Sequence, residues 1–283
     1  MNNSPANLLI RKLDIDLATG FPRHWHNDDA FKSMYYNALS MSFPVGEQFF
    51  IDSVRAGLEL LPDTPEHASL RVTIRQFIGQ EATHRHIHYL YNSHLEKQGL
   101  NNHWQHWALR RIAIAEKYKF HPLSLLAITA AYEHCTAILA DGTLRYANWF
   151  DGAEPKMQTL WRWHAAEETE HKAVAYDLYQ TLGGGYMRRV SWYAYTALLF
   201  ILEAGSQTLL NLHRDKSLFR ASTYWSALKF LFGKNGSIWR YTLPMLQYFS
   251  YRFHPNKHGK RELAEQWLND NAELWRDVNA RVN

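Results

Sequence analysis

Trp163-His164-Ala165-Ala166-Glu167-Glu168-Thr169-Glu170-His171 places a run of metal-capable side chains on one stretch of chain. On an α-helix His164, Glu168 and His171 stand at i, i+4 and i+7, so the three side chains share one stripe. Glu167 and Glu170 fall off that stripe, which leaves Glu168 as the ligand candidate among the three acids. A solvated acidic helix with incidental histidines would show the same residues. The rest of the chain decides between the two.

Glu168-Thr169-Glu170-His171 is a Glu-x-x-His, and the sequence holds a second, Glu81-Ala82-Thr83-His84. Each follows, at similar spacing, a Glu set in an apolar stretch. Glu47 lies in Phe43-Pro44-Val45-Gly46-Glu47-Gln48-Phe49-Phe50, and Glu133 ends Ile128-Thr129-Ala130-Ala131-Tyr132-Glu133. The order Glu, Glu-x-x-His, Glu, Glu-x-x-His is what a four-helix bundle needs to hold two metal ions between its helices. The metal candidates are therefore Glu47, Glu81, His84, Glu133, Glu168 and His171. His164 is a further candidate on the stripe of Glu168. His88, at i+7 from Glu81, is a further ligand or a partner of one, while His86 points elsewhere. Two divalent cations offset four carboxylates that would otherwise repel one another in a poorly solvated core. Mixed carboxylate and imidazole ligation suits iron first, with manganese or zinc as alternatives.

The 283 residues are 46% hydrophobic and 14% aromatic, ample for a large core in one domain or two. The one cysteine, Cys135, excludes a disulfide framework and a cysteine-based metal site, and is compatible with a reducing cytoplasm. Met1-Asn2-Asn3-Ser4-Pro5 lacks the basic and apolar regions of a secretory signal, so a cytoplasmic location is expected. The net charge of +4 is unevenly placed. Residues 186–261 carry 12 Lys and Arg against 2 Asp and Glu, so the remainder of the chain is acidic. Such a segment favours anionic partners, and a membrane-peripheral location is its corollary; charge that merely solvates a helical surface would look the same.

In chain order, residues 1–27 read as an irregular lead-in with a short strand or arm at 11–16. A helix opens near Asn27-Asp28-Asp29, and Pro44 interrupts it or starts another. Helices follow over 66–97, stopped by Gly99, over 102–118 as a crossover, from Pro122 to about 150, and over 155–182, stopped by Gly183-Gly184-Gly185. Beyond lie helical stretches at 217–232, 237–253 and 258–281. The apolar run 192–202 is too short for a membrane span of about 20 residues and reads as a buried helix. Small residues around Glu133 (Thr129, Ala130, Thr136, Ala137) leave room for a substrate or for close helix packing. The expected fold is all-α, with a metal-binding bundle over 1–185 and a helical extension over 186–283 packed on it, or the two as one domain.

With these motifs in hand, the first 182 residues resemble the ferritin-like di-iron carboxylate superfamily. Phe43-Pro44-Val45-Gly46-Glu47, Gln80-Glu81-Ala82-Thr83-His84 and the stretch 163–171 resemble a bacterial family of predicted metal-dependent hydrolases, to about Pro255. The resemblance implies a ferritin-like four-helix bundle with a dinuclear metal site. His88 stands where small subunits of ribonucleotide reductase carry a radical Tyr, which disfavours radical storage; the long aromatic extension disfavours iron storage. His164 is similar to the third histidine ligand of di-iron aryl-amine N-oxygenases. The expected function is oxidation of a small or amphiphilic substrate by dioxygen at two iron ions, with an electron donor. The alternatives are hydrolysis of an ester or phosphoester by the same two metals, or a non-enzymatic metal-binding or membrane-surface protein. An anionic membrane surface is a candidate partner, and no nucleic-acid partner is expected.

Overall fold

Polar caps, prolines and glycines punctuate this chain into helices where the sequence places them. The computed structural model describes residues 8–279, whose regular structure is helical apart from one two-stranded sheet. The Asp29 side chain accepts from the Lys32 N–H and opens α1, Ala30–Leu60. Helix α2, Ala68–Lys97, ends at Gly99, whose φ of 81° lets the chain turn back so that the Leu100 N–H reaches the Leu95 carbonyl. Asn102 caps α3, His103–Lys117. Prolines at the first position begin α4, Pro122–Arg145, and α5, Pro155–His171. Then come α6, Val174–Thr181, α7, Tyr186–Arg214, α8, Ala221–Phe232, α9, Ser237–Gln247, and α10, Arg261–Asp270. The start of the expected lead-in, residues 1–7, and the end of the expected last helix, beyond 279, lie outside the described residues; within them that helix stops at Asp270, and 275–277, expected to be helical, is a strand.

Two expectations about continuity are corrected. The stretch 155–182 is two helices, interrupted at Lys172-Ala173, where the buried Lys172 ammonium reaches the His258 carbonyl at 2.5 Å. Conversely, α1 runs unbroken through Pro44. Proline removes the N–H that the carbonyl four residues earlier would accept. Here that carbonyl belongs to Ser40, and the Asn92 side-chain amide of α2 donates to it at 2.9 Å. A neighbouring helix thus replaces the missing bond, which is why the proline does not end α1.

Helix α1 packs along α2, α4 packs on α5 and α6, and α1 meets α4 while α2 meets α5 and α6. These helices surround a common interior, and α3, beside α1 and α7, carries the chain from α2 to α4. Helix α7 lies over α1 and α4; α8 rests on α1, and α9 on α4 and α8. Buried Met34, Val54, Phe77, Tyr91, Leu126 and Trp163 belong to one apolar core that also takes in Tyr193, Phe230 and Leu268. Strand β1, Arg11–Leu13, pairs antiparallel with β2, Trp275–Asp277, near the other end of the chain. Among the described residues α4 is long and apolar enough to cross a bilayer, but it is enclosed by α1, α5, α6, α7 and α9 and carries buried Glu133. Its apolarity belongs to the interior.

The run 192–202 is only half buried, against expectation. Tyr193, Thr196, Ala197 and Phe200 face inward, whereas Tyr195, Leu198, Ile201 and Leu202 are exposed. Helix α7 lies outermost over α1 and α4, so only one of its sides finds a protein partner.

Asn92→Ala should destabilise the protein by about 1–3 kcal/mol, because the Ser40 carbonyl then lies buried without a donor. In a Pro44→Ala background the backbone N–H returns and the cost should shrink. Chemical denaturation of the four proteins checks this; an equal cost in both backgrounds would show that the carbonyl is not what Asn92 serves.

Candidate metal centre

Helical period and packing together bring the Glu and His stripes of four helices to one place. Glu47 comes from α1, Glu81 and His84 from α2, Glu133 from α4, and His164, Glu168 and His171 from α5. All are 4% exposed or less. Ligand atoms of Glu81, His84, Glu168 and His171 lie within 4.8 Å of one another, as do those of Glu47, His88 and His164. His171 Nε2 lies 3.1 Å from Glu81 Oε1 and 3.6 Å from Glu133 Oε2 and from Glu168 Oε1. His84 Nδ1 lies 3.6 Å from Glu168 Oε1, and His164 Nε2 lies 2.9 Å from that oxygen and 3.8 Å from Glu47 Oε1. Exposed His86 is elsewhere.

The hydrogen bonds around the cluster decide which nitrogen of each histidine faces in. His84 donates from Nε2 to Glu167 Oε2 at 2.9 Å, which turns Nδ1 toward the carboxylates. His171 donates from Nδ1 to Gln80 Oε1 at 3.0 Å; the Gln80 amide is oriented by donating to the Leu9 carbonyl and to Glu170. For His164 the assignment runs through three residues. The Ser40 hydroxyl donates to Asn92, so its oxygen accepts from His88 Nδ1 at 2.9 Å. His88 Nε2 must then accept from His164 Nδ1 at 2.7 Å, leaving His164 Nε2 without a proton where it meets Glu168 and Glu47. Both ring nitrogens of His88 are engaged in this chain, so His88 orients His164 instead of joining the inner cluster. Burial, with the charges of His164 and His84, pushes His88 well below the ordinary histidine range, and burial with His84 pushes His164 down to about 4.

Every atom that faces inward is therefore an acceptor. Both oxygens of Glu47, Glu81 and Glu133, with Nδ1 of His84 and Nε2 of His171, are buried without a hydrogen-bond partner. Buried polar groups are rarely left so, and a set of carboxylates and imidazole lone pairs aimed at one another fits cations placed between them. Protons are the substitute. Burial, then the neighbouring Glu81, raises the Glu47 carboxyl well above the carboxylate range; burial and Glu168 do the same for Glu133, and burial raises Glu81. Burial opposes charge on His84, but its bonds to Glu167 and Glu168 outweigh this and hold it up at about 10. Burial opposes the ionised form of Glu168 too, but the charge of His171 outweighs it and keeps that carboxyl well below its usual range.

Glu167, Gln80 and Arg11 have roles that the sequence did not show, and Thr136, expected only as a small neighbour of Glu133, has one too. Glu167 lies off the ligand stripe and yet is wholly buried, paired with His84 and, at 3.1 Å, with Arg11 of β1. Arg11 also grips Glu170 with both guanidinium nitrogens. The Thr136 hydroxyl donates to Glu168 Oε2 at 2.5 Å, leaving Oε1 to the histidines. Acids beside a ligand motif and an early Arg between apolar residues were the available signals, but their pairing crosses 156 positions.

A cavity of about 510 Å³ reaches the cluster from between α1, α3, α4 and α7. Glu47 and Thr136 form its inner end, Phe43, Phe50, Tyr132 and Phe200 its walls, and the exposed Ile114 and Tyr195 part of its outer lining. Of the residues lining it, Glu47 is the one carboxyl and Arg111 the one cation, and Arg111 is paired with Glu203.

Residues 10–259 match a protein family described as predicted metal-dependent hydrolase. No curated protein and no solved structure matches the chain.

Metal uptake at neutral pH should release protons, since the raised carboxyls and the protonated imidazoles must give theirs up. Apparent affinity should rise with pH up to about 10, where His84 has lost its extra proton. Calorimetric titration in buffers of different ionisation enthalpy reads the number released; a buffer-independent heat would contradict the proton-filled cluster. Arg11→Leu should destabilise the protein by about 3–5 kcal/mol, because buried Glu167 and half-buried Glu170 are left without their cation. Adding Glu167→Gln and Glu170→Gln should restore much of that loss in thermal denaturation.

Proposed function

The chain belongs to the family of predicted metal-dependent hydrolases, and from that we propose that Glu47, Glu81, His84, Glu133, His164, Glu168 and His171 hold two cations within a ferritin-like four-helix bundle. The proposed activity is metal-dependent hydrolysis of an ester or phosphoester whose apolar part occupies the adjoining cavity. The observation that carries it is the inward ring of buried acceptors without donors, open to an apolar cavity at Glu47 and Thr136. Carboxylate and imidazole ligands suit iron, manganese or zinc, with iron our first expectation.

Two divalent cations held by these carboxylates and imidazoles would supply Lewis-acid chemistry: activation of water at neutral pH and polarisation of a carbonyl or phosphoryl oxygen. The chain does the rest. Glu167, Gln80 and His88 hold the three imidazoles in the tautomers that present a lone pair inward, and Thr136 fixes the rotation of the Glu168 carboxylate. The aromatic walls exclude bulk water and align an extended apolar group toward Glu47. The Arg111–Glu203 pair provides a polar contact along that path without leaving a free charge in it.

A second reading, oxidation of the same substrate by dioxygen with an external electron donor, is favoured by the third inward imidazole, His164, and by a cavity lined by no other titratable group than Glu47, Arg111 and tyrosine hydroxyls.

Loading the purified protein with Fe(II), Mn(II) or Zn(II) without oxygen should give two ions per chain by elemental analysis. Glu81→Ala, Glu168→Ala and His164→Ala should each lower that content while His86→Ala does not, with helicity by circular dichroism unchanged in all four. Turnover of long-chain nitrophenyl esters or phosphoesters under argon supports hydrolysis. Turnover of an apolar substrate only with dioxygen and a reductant supports the second reading instead, and a wild-type protein that retains no metal would sink both.

A further inference from the structure

Helices on the surface of a soluble globular protein turn a polar face outward. Those of the layer α7, α8 and α9 do not. The outward stripe of α7 reads Met187, Tyr195, Leu198, Ile201, Leu202 and Leu209, all exposed. Between Val190 and Leu212 that helix holds one charged residue, Glu203, which is buried and paired with Arg111. Helix α8 exposes Trp225 by 61% and also Leu228 and Phe232; α9 exposes Trp239 by 63% and Leu243 by 64%. Phe219, in the link between α7 and α8, is 85% exposed. These side chains belong to one layer over α1 and α4, so their outward sides form an apolar, aromatic face well beyond the scattered hydrophobics of ordinary surfaces.

The charge of the same segment says what covers it. Of the residues from 186 to 261, 12 are Lys or Arg and 2 are acids. Both acids, Glu203 and Asp215, are buried and turned to partners, Arg111 for the first, Arg23 and His24 for the second. The exposed charge of the layer is thus basic: Arg214, Lys216, Arg220, Lys229, Lys234 and Arg240 lie among or beside the apolar side chains. A second copy of this chain would set two basic faces against each other, which costs association energy. An anionic lipid surface is attracted by the same charges and receives the Trp, Tyr and Leu side chains at its headgroup boundary. The outward stripe of α7, 23 residues from Met187 to Leu209 and roughly 34 Å long by helical rise, has Arg188 at one end and Arg214 at the other, which suits a helix lying in the plane of the interface.

We propose that the outward face of α7, α8 and α9 docks on an anionic phospholipid bilayer. The cavity described above has exposed Tyr195 of α7 and Ile114 of α3 in its outer lining, so its mouth lies at the edge of the docked face. A lipid acyl chain can then pass from the bilayer toward Glu47 without crossing water; this last step, and only it, rests on the hydrolase reading. The substrate class that follows is an acyl-chain amphiphile.

The experiment is co-sedimentation of the full chain, with and without metal, with vesicles of phosphatidylcholine alone or mixed with phosphatidylglycerol, at low and high salt. The protein should pellet with the anionic vesicles at low salt, and less at high salt as the Debye length contracts below about 10 Å. Leu198→Ser, Trp225→Ser and Trp239→Ser combined should lower binding by roughly tenfold or more, with helicity and metal content as in the wild type, since all three side chains are exposed. Wild-type protein that stays in solution with anionic vesicles at low salt overturns the proposal, and so does binding that the triple substitution leaves intact. A dimer in sedimentation velocity that the triple substitution dissolves, without vesicle binding, would make a second copy the occupant and likewise overturn it. Vesicle binding without metal uptake would uphold the docking face while removing the two-metal reading.

Discussion

Like-charged, poorly solvated groups cannot share a protein interior unless something of opposite charge lies between them. Glu47, Glu81, Glu133 and Glu168 meet in such an interior, and the three imidazoles that join them turn toward them the nitrogen that, in the neutral ring, carries a lone pair. Either protons or metal cations must fill that space. Protons meet the charge requirement only by distorting ordinary acidities, upward for three carboxyls and for His84 and His171. Cations meet it with every ligand in its normal ionised or neutral form, which is why the arrangement is better read as built for metal.

That inward set depends on an outer set of bonds drawn from the whole chain. Arg11 reaches from β1 to Glu167 and Glu170, and the pairing of β1 with β2 holds it in place from the far end of the sequence. Glu167 orients His84, while Gln80, tied to Glu170, orients His171. On the other side a bond missing from α1 is put to use. Pro44 frees the Ser40 carbonyl, Asn92 takes both that carbonyl and the Ser40 hydroxyl, and the hydroxyl oxygen sets His88 and through it His164. A fault in one helix thus becomes an anchor for a side chain two helices away.

The layer of α7, α8 and α9 closes the α1 and α4 side of the interior and leaves its own outer side apolar. Enclosing the cavity requires large apolar side chains such as Phe200 and Trp192 facing in. It does not require Leu198, Ile201 or Trp239 facing out, so packing alone does not account for that second apolar face. The basic charge gathered on the same segment points to the environment that the face meets.

Spacing along the chain determined the all-helical class and the residues that share each ligand stripe, because the helical period alone decides which side chains stand on one face of one helix. Glu81 with His84, and His164 with Glu168 and His171, were legible for that reason, as was the pairing of each Glu-x-x-His with an earlier buried Glu. Only the tertiary structure decided what lies between helices. Glu167, one position off the stripe, is drawn into the site by Arg11, 156 residues away. His88 became the support of His164 because the Ser40 hydroxyl of α1, itself donating to Asn92 of α2, occupies its far nitrogen. Pro44 reads as a break until a donor from another helix is in view, and the run 192–202 reads as buried until α7 is seen to have a neighbour on one side alone. Periodicity is a property of a single helix, whereas hydrogen-bond partners and burial are properties of the segments that pack against it, and those come from anywhere in the chain.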